Sequence, residues 1–409
     1  MKTPVIPIVF AANNKYVMFC YMAVYTVIKN AKRDYFYHIY VFQTNISDEN
    51  CKLLESLSAG HASVECVDIS KYTSNVYLKE SLHLSIETYY RLFIPCILPQ
   101  YEKILYLDSD MCILSDVAEL YACDLGDYAV GAAPDIPCFP LEMHARELGG
   151  LDCKKTFNAG VLVINTRKFE ENRVREKCLE LLAQDYKRKD RRLYFADQDA
   201  LNIVLYENYY ILDKRWNYQP QYLWRVQEVF EEFRQEYVAD QESAFIMHFA
   251  GTRKPWHYPE LPQSDIFWKN AREIAEFDQL MYCIMVDVRE SEGKLKCFEE
   301  FQFPYAQIPF RSRVVIYAAG LVGKAFYAQL KESGYADLVL WVDQNWKNIG
   351  AELGVEAVER ISDIPYDYLI IAIDSKRIAD SIRKALMGMN VPEKKIVWDE
   401  YRKKRNCLR

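Results

Sequence analysis

Apolar runs rich in β-branched residues alternate with helix-periodic segments along most of this chain, and they do so in two separate series. This alternation constrains the fold most strongly, because strands separated by helices close into a parallel sheet with helices on both faces. Residues 4–10 (PVIPIVF) read as a buried strand bounded by Asn13-Asn14, and residues 16–30 as the helix packed on it. Residues 38–44 (HIYVFQT) are a second strand, Ser47 is an N-cap for a helix running to 57, and residues 62–67 are a third strand. A fourth strand, Lys103–Leu107, ends directly in Asp108-Ser109-Asp110. Strand-like segments at 128–132 and 161–165 flank a stretch holding Pro134, Pro137, Pro140 and Gly149-Gly150, which reads as a long irregular binding loop. Residues 218–239, aromatic and acidic, are mainly helical by pattern. In such sheets ligands lie beyond the C-terminal strand ends, so chemistry is expected in the loops that follow the strands.

The alternation restarts at Arg313. Residues 314–326 read as strand, glycine turn and helix, followed by strands at 338–345 and 368–374. A length of 409 residues predicts two or three domains. The expected division is 1–264, a helical extension or linker over 265–310, and a smaller α/β nucleotide-fold module over 311–409. An apolar content of 51% with 27% charged residues suits a folded globular protein and excludes disorder. With 51 Lys and Arg against 58 Asp and Glu, the formal charge is −7, which argues against a nucleic-acid partner. The 31 Tyr and 7 Trp offer flat faces suited to sugars and nucleobases, although packing accounts for most of them equally well.

Twelve cysteines without a CxxC pair suggest neither a zinc ribbon nor a disulfide framework, and read as buried thiols of a reducing cytosol. Residues 4–12 imitate a short signal peptide, but Asn13-Asn14-Lys15 interrupts them. The next apolar run, 16–28, is shorter than the about 20 residues a membrane span needs. A cytoplasmic protein without a transmembrane segment is expected. Residues 401–409 carry five basic residues and no acid; they read as a solvated tail, with weak peripheral contact to anionic lipid heads as the alternative.

Asp108 and Asp110 stand two residues apart at the end of a strand, so in extended chain both carboxylates lean to one side. Like charges so placed repel unless something positive lies between them, and carboxylate oxygens favour a divalent cation. An ion held by few protein ligands keeps positions for substrate phosphates, which favours a nucleotide-diphosphate substrate. The segment IMHFAGTRKPW, residues 246–256, places His248 after an apolar run, then Gly251 and Lys254. Glycine allows close backbone approach and lysine neutralises a phosphate. An imidazole beside two carboxylates tilts the site from Mg²⁺ toward Mn²⁺. Read singly, a histidine placed like His248 after an apolar run is more often a satisfied structural residue.

These segments, with the opening strand, resemble glycosyltransferase family 8, which contains bacterial lipopolysaccharide galactosyl- and glucosyltransferases. The matching pieces are IPIVFAANNKY (6–16), TYYRLFIP (88–95), KILYLDSDMCIL (103–114), FNAGVLVIN (157–165), ADQDALN (196–202) and HFAGTRKPW (248–256), in the family's order. The resemblance implies a GT-A nucleotide-diphospho-sugar transferase fold, a UDP-sugar donor, Mn²⁺ with Mg²⁺ as the alternative, and retention of anomeric configuration. Carried over by position, Asp108, Asp110 and His248 would be the metal ligands, and Asp197 and Gln198 the catalytic pair that positions the donor. The 11–16 loop, through Ala11, Asn13 and Tyr16, would hold uracil and ribose. Arg91, Ser109 and Asn158 would contact the donor, and Gly251 and Lys254 the diphosphate. The first loop departs from the family's usual AADDNY, reading AANNKY here. Asn13 can still bond a uracil edge, because an amide both donates and accepts.

The implied activity is transfer of glucose or galactose from a UDP-sugar to a glycan, lipid-linked or other hydroxyl acceptor, in cell-surface polysaccharide or lipopolysaccharide synthesis. A homo-oligomer is compatible with it. Two alternatives stay open. An NAD-dependent sugar-nucleotide enzyme would use the second module, where AAGLVG (318–323) and Asp343 approximate a dinucleotide fingerprint, with Ala318 in place of its first glycine. A sugar-nucleotide-binding regulator would bind without turnover.

Overall fold

The structure, a computed structural model, describes residues 3–74, 76, 78, 85–188, 192–292, 301–346, 354–399 and 401. The chain divides into two compact units: Met1–Lys254 with Leu261–Gln263, and Pro255–Glu260 with Ser264–Arg409. Among the described residues the first unit carries nine strands: β1 (Val5–Ala11), β2 (Phe36–Gln43), β3 (Ala62–Asp68), β4 (Lys103–Leu107), β5 (Met111–Ile113), β6 (Val130–Pro134), β7 (Phe157–Asn165), β8 (Tyr210–Ile211) and β9 (Ile246–His248). Seven form one sheet in the order β3-β2-β1-β4-β7-β6-β8, while β5 and β9 pair as a separate two-stranded sheet. Strands β3, β2, β1 and β4 run parallel, with Ile8 in register with Ile39 on one side and Leu105 on the other.

The sheet is not parallel throughout, as the alternation predicts. Strand β7 runs antiparallel to both β4 and β6. The reason is legible in its composition: β7 is buried along nearly its whole length, as a central parallel strand would be, so its apolar run carries no direction. The helix Val17–Asn30 buries ten of its 14 residues, as expected of a helix apolar on all sides. Ser47 caps the helix Asp48–Glu55 as its position predicts, its hydroxyl accepting the Asn50 N–H at 3.3 Å.

Two further segments differ from expectation. The stretch expected as irregular loop holds a helix, Phe139–Glu147, and Pro140 lies in its first turn. A proline there removes an N–H that has no helical partner, so it starts this helix rather than breaking it. Residues 218–239 are only partly α-helical: a 3₁₀ segment, Pro220–Glu228, is broken at Arg225 before the helix Glu231–Asp240 begins.

The second unit carries β10 (Arg313–Tyr317), β11 (Asp337–Val342), β12 (Tyr368–Ile371) and β13 (Ile396–Val397) in the order β11-β10-β12-β13, all parallel. The helices Leu321–Ser333 and Lys376–Gly388 follow β10 and β12. Ala318 adopts a left-handed φ of 87° where a fingerprint glycine would stand, and Trp341 Nε1 donates to its carbonyl at 3.0 Å. Asp343 does not extend outward from β11; its carboxylate accepts the Ala319 N–H at 2.8 Å and the Asn345 N–H at 2.7 Å. The basic tail beyond residue 401 lies outside the described residues. No helix among the described residues is long and apolar enough to cross a membrane.

Candidate active site

The two acids at the end of β4 are anchored to different sheets. Asp108 N–H donates to the Gly160 carbonyl at 2.9 Å, extending the β4–β7 ladder by one step. The Asp110 carbonyl accepts the Phe249 N–H at 3.0 Å, extending the β5–β9 pair. Between them Ser109 is buried, and its hydroxyl donates to the Ala11 carbonyl at 2.8 Å, tying the β1 loop to the acids. Met111 is in register with His248, the last residue of β9, so the small sheet delivers the imidazole to the acidic pair.

His248 Nε2 lies 3.2 Å from Asp110 Oδ1 and 3.8 Å from Asp108 Oδ2. One ligand atom from each of the three residues falls within 4.8 Å of the others. His248 is 2% exposed, and its Nδ1 is 2.7 Å from Asn217 Oδ1. Asn217 Nδ2 in turn donates to Asn158 Oδ1 at 2.9 Å, which fixes the orientation of the amide. An amide oxygen only accepts, so in the neutral ring Nδ1 carries the proton and Nε2 presents its lone pair to the acids. Two carboxylates and such a nitrogen make a donor set that fits a divalent ion of borderline softness.

Charge is balanced around the pair. Asp108 accepts from the Tyr106 hydroxyl at 2.7 Å and pairs with Arg91 Nη2 at 3.2 Å. Asp110 pairs with Lys254, whose ammonium also donates to the Phe249 carbonyl at 2.8 Å. Burial pushes the Asp110 carboxyl up, but the Lys254 cation and His248 outweigh it and hold it well below the usual range. Burial likewise favours loss of the Lys254 proton, yet Asp110 and Tyr16 keep the amine charged. Gly251, at a left-handed φ of 79°, makes the exposed turn between His248 and Lys254.

Residues 158–160, at the start of β7, meet Asp108, Arg91, Gln198, Asn217 and His248. Asn158 Oδ1 accepts the Gly160 N–H at 2.9 Å as well as the Asn217 amide. The Ala159 N–H donates to Gln198 Oε1 at 3.0 Å, and its carbonyl accepts from Arg91 Nη1. A Cβ on Gly160 would overlap the His248 ring and approach Asp108 Oδ2 to 2.8 Å, so only glycine fits there. Arg91 is buried behind the acids. Its Nε lies 2.8 Å from Asp197 Oδ2, and its guanidinium rests 4.5 Å from the Tyr106 ring centre, so it joins Asp108 to Asp197. Thr88 adds a hydroxyl hydrogen bond of 2.7 Å to Asp197 Oδ1. Burial pushes Asp197 up to about 6, against the opposite pull of Arg91 and Thr88.

Asp197 and Gln198 open the helix Asp197–Val204, entered through Ala196 at a φ of 50°. Asp199, one turn in, pairs with His144 Nε2 at 2.9 Å. In the β1 loop, Asn13 Oδ1 accepts the N–H groups of Lys15 and Tyr16, both at 3.1 Å. Polar contacts link Arg91, Asp108, Asp110, Asp197, His248 and Lys254, tie Ser109 to Ala11, and bring in Asn158 through Asn217 and Gln198 through the Ala159 backbone. Asn13 and Tyr16 join through the β1 loop. Asn217 was not legible as a site residue, and Thr88 and Tyr106 lie inside matching segments without a role assigned to them. Asn217 is uncharged and sits in a short 3₁₀ turn without periodicity, whereas Gly160 lies in the FNAG run that the family resemblance already singles out.

A parallel half-sheet extended by an antiparallel β7, with acids at the end of its central strand, defines a fold of the GT-A type. The chain matches the model of glycosyl transferase family 8 over residues 7–260, and it belongs to that family. It is 27% identical to general stress protein A of Bacillus subtilis over 264 residues, 63% of this chain and 89% of that protein. It is 24% identical to a lipopolysaccharide 1,2-glucosyltransferase of Escherichia coli over 279 residues, 67% of this chain and 80% of that one. Among solved structures, the galactosyltransferase LgtC in complex with donor and acceptor sugar analogues superposes with a TM-score of 0.55 at 24% identity, covering 66% of this chain and 96% of LgtC. That likeness shows the fold.

Proposed function

We propose that the chain is a retaining hexosyltransferase that moves glucose or galactose from a UDP-sugar to a hydroxyl of a glycan or lipid-linked acceptor, at the cytoplasmic side of cell-surface polysaccharide synthesis. The observation that carries this reading is the convergence of Asp108, Asp110 and His248, with the Lys254 ammonium paired to Asp110 beside them. These three residues would hold Mn²⁺, or Mg²⁺ in its place. Such an ion, when bound, supplies positive charge that favours a departing diphosphate.

The chain's own residues do the rest. Lys254 is fixed and charged where negative charge develops on the leaving group, so it costs no reorganisation during the reaction. Gln198, with its carbonyl oxygen held by the Ala159 N–H, and Asp197, held by Arg91 and Thr88, position the sugar. An amide is a weak nucleophile, which supports attack by the acceptor hydroxyl on the face that UDP leaves. The bond from the acceptor oxygen to the anomeric carbon forms as the bond from that carbon to the phosphate oxygen breaks. The leaving phosphate oxygen takes the hydroxyl proton. Tyr16 stacks on the base.

A screen of UDP-sugars scored by UDP release, with Mn²⁺ and with chelator, tests this reading. Release from UDP-glucose or UDP-galactose that chelator abolishes is expected. Release from no UDP-sugar under any metal condition would refute it.

A further inference from the structure

The helix Asp197–Val204 is entered through a backbone conformation that its sequence does not favour. Ala196 stands at φ 50° and ψ −112°, and the Gln198 N–H donates to the Phe195 carbonyl at 3.0 Å. These are the angles and the hydrogen bond of a type II′ turn with Ala196 at its first central position, a place that glycine dominates. An alanine there is strained and persists only where its surroundings enforce the conformation. Ala196 is fully buried, and the two residues that follow it are Asp197 and Gln198.

The enforcing group lies on the helix Phe139–Glu147. His144 Nε2 is 2.9 Å from Asp199 Oδ1, and the second oxygen, Oδ2, accepts the Phe195 N–H at 2.8 Å. A carboxylate only accepts, so Nε2 carries the proton in this contact whether the ring is neutral or charged. The His144 ring also packs edge-on against the Phe195 ring, with centroids 4.9 Å apart. His144 therefore holds Phe195 twice, ring to ring and through Asp199 to its N–H. The body of the helix has a different anchor on β7. Asn202 Nδ2 donates to the Phe157 carbonyl at 2.9 Å and to the Gln198 carbonyl at 3.0 Å, and Oδ1 accepts the Phe157 N–H at 2.8 Å.

We propose that His144 is a positioning residue for the transfer: through Asp199 it holds the strained turn at Ala196, and so keeps Asp197 against Arg91 and Thr88 and Gln198 against the Ala159 N–H. The inference rests on the transferase reading and deepens it. Without the clamp Ala196 relaxes toward negative φ, which turns Asp197, the first helical residue, away from its partners. His248 and Lys254 are held from β9 and the turn after it, and stay in place. The loss falls on the pair that positions the sugar, so it lowers kcat rather than nucleotide affinity.

The test measures UDP release from the sugar nucleotide that wild type accepts, and UDP affinity by titration calorimetry, both with Mn²⁺. His144→Phe keeps a ring against Phe195 and removes the donor. Its kcat should fall by about 10–100-fold while its Kd for UDP stays within about twofold of wild type. His144→Gln restores an amide donor and should recover most of the lost kcat; His144→Ala serves if His144→Phe does not fold. Ala196→Gly added to His144→Phe should raise kcat by at least about threefold, because glycine adopts the turn without strain. A general loss of structure would weaken UDP binding as well and would gain nothing from that glycine. Amide hydrogen exchange at Phe195 and Gln198 should quicken by at least about tenfold in His144→Phe. An active wild type whose folded His144 variants keep kcat within about twofold would overturn the inference and leave the transferase reading intact. A wild type that releases UDP from no sugar nucleotide would overturn that reading instead. The exchange rates then decide the clamp by themselves, and unchanged rates reject it.

Discussion

At the scale of single residues, the site depends on neighbours that bear no charge. Asn217 sets the His248 ring by accepting from Nδ1, and partners of this kind typically govern metal affinity by about 10–100-fold. Asn217→Leu should therefore weaken Mn²⁺ binding by at least about tenfold in an electron paramagnetic resonance titration, and Asn217→Asp, which keeps an acceptor, should weaken it less. Equal affinities in all three chains would remove Asn217 from the metal centre. Asp197 gives a pH prediction. Its folded proton affinity, near pH 6, exceeds that of an unfolded aspartate near 3.9. The folded state therefore holds a proton that the unfolded state has released, and wild-type stability falls as pH rises from about 4 to 6. Asp197→Asn lacks this dependence, so its stability should gain on wild type by roughly 2 kcal/mol across that window. Denaturation at pH 4 and pH 7 measures it, and a constant difference would contradict the burial argument. The charged members of the site were legible in the sequence because strand ends and motif order mark them. Asn217 was not, since its importance comes from which side chain it meets across the fold.

At the scale of elements, spacing located the strands well but not their directions. Strands β1 to β4 follow the expected alternation, whereas β7 reverses without any sign in its apolar run, because burial on both faces erases the period-two pattern. The helix Phe139–Glu147 was hidden by prolines that read as loop signals, although a proline in a first turn favours a helix start. Arg91 shows what joins the elements: from the 3₁₀ segment Ile86–Phe93 it spans Asp108 after β4 and Asp197 on its helix. Arg91→Leu leaves the buried Asp197 and the half-buried Asp108 without their cation and should cost about 3–5 kcal/mol in chemical denaturation. A loss below about 1 kcal/mol, as at surface pairs, would mean that the guanidinium is not structural. Ser47→Ala, by contrast, should cost about 1 kcal/mol through loss of a helix cap and leave nucleotide affinity unchanged.

At the scale of the whole molecule, the family match covers residues 7–260, and the four-stranded parallel sheet of the second unit lies outside it. The glycine-turn signal of that second unit was readable as strand, turn and helix. Its ligand chemistry was not, and Asp343 is occupied by its own turn. The candidate site lies in the first unit, at one centre assembled from two sheets. Titrating Mn²⁺ into wild type, Asp110→Asn and His248→Ala in the presence of UDP examines that centre most directly. Saturable binding of one ion per chain is expected in wild type, with affinity lowered at least about tenfold in both variants and UDP affinity falling in parallel. Unchanged Mn²⁺ affinity in both folded variants would show that the three residues do not form a metal centre.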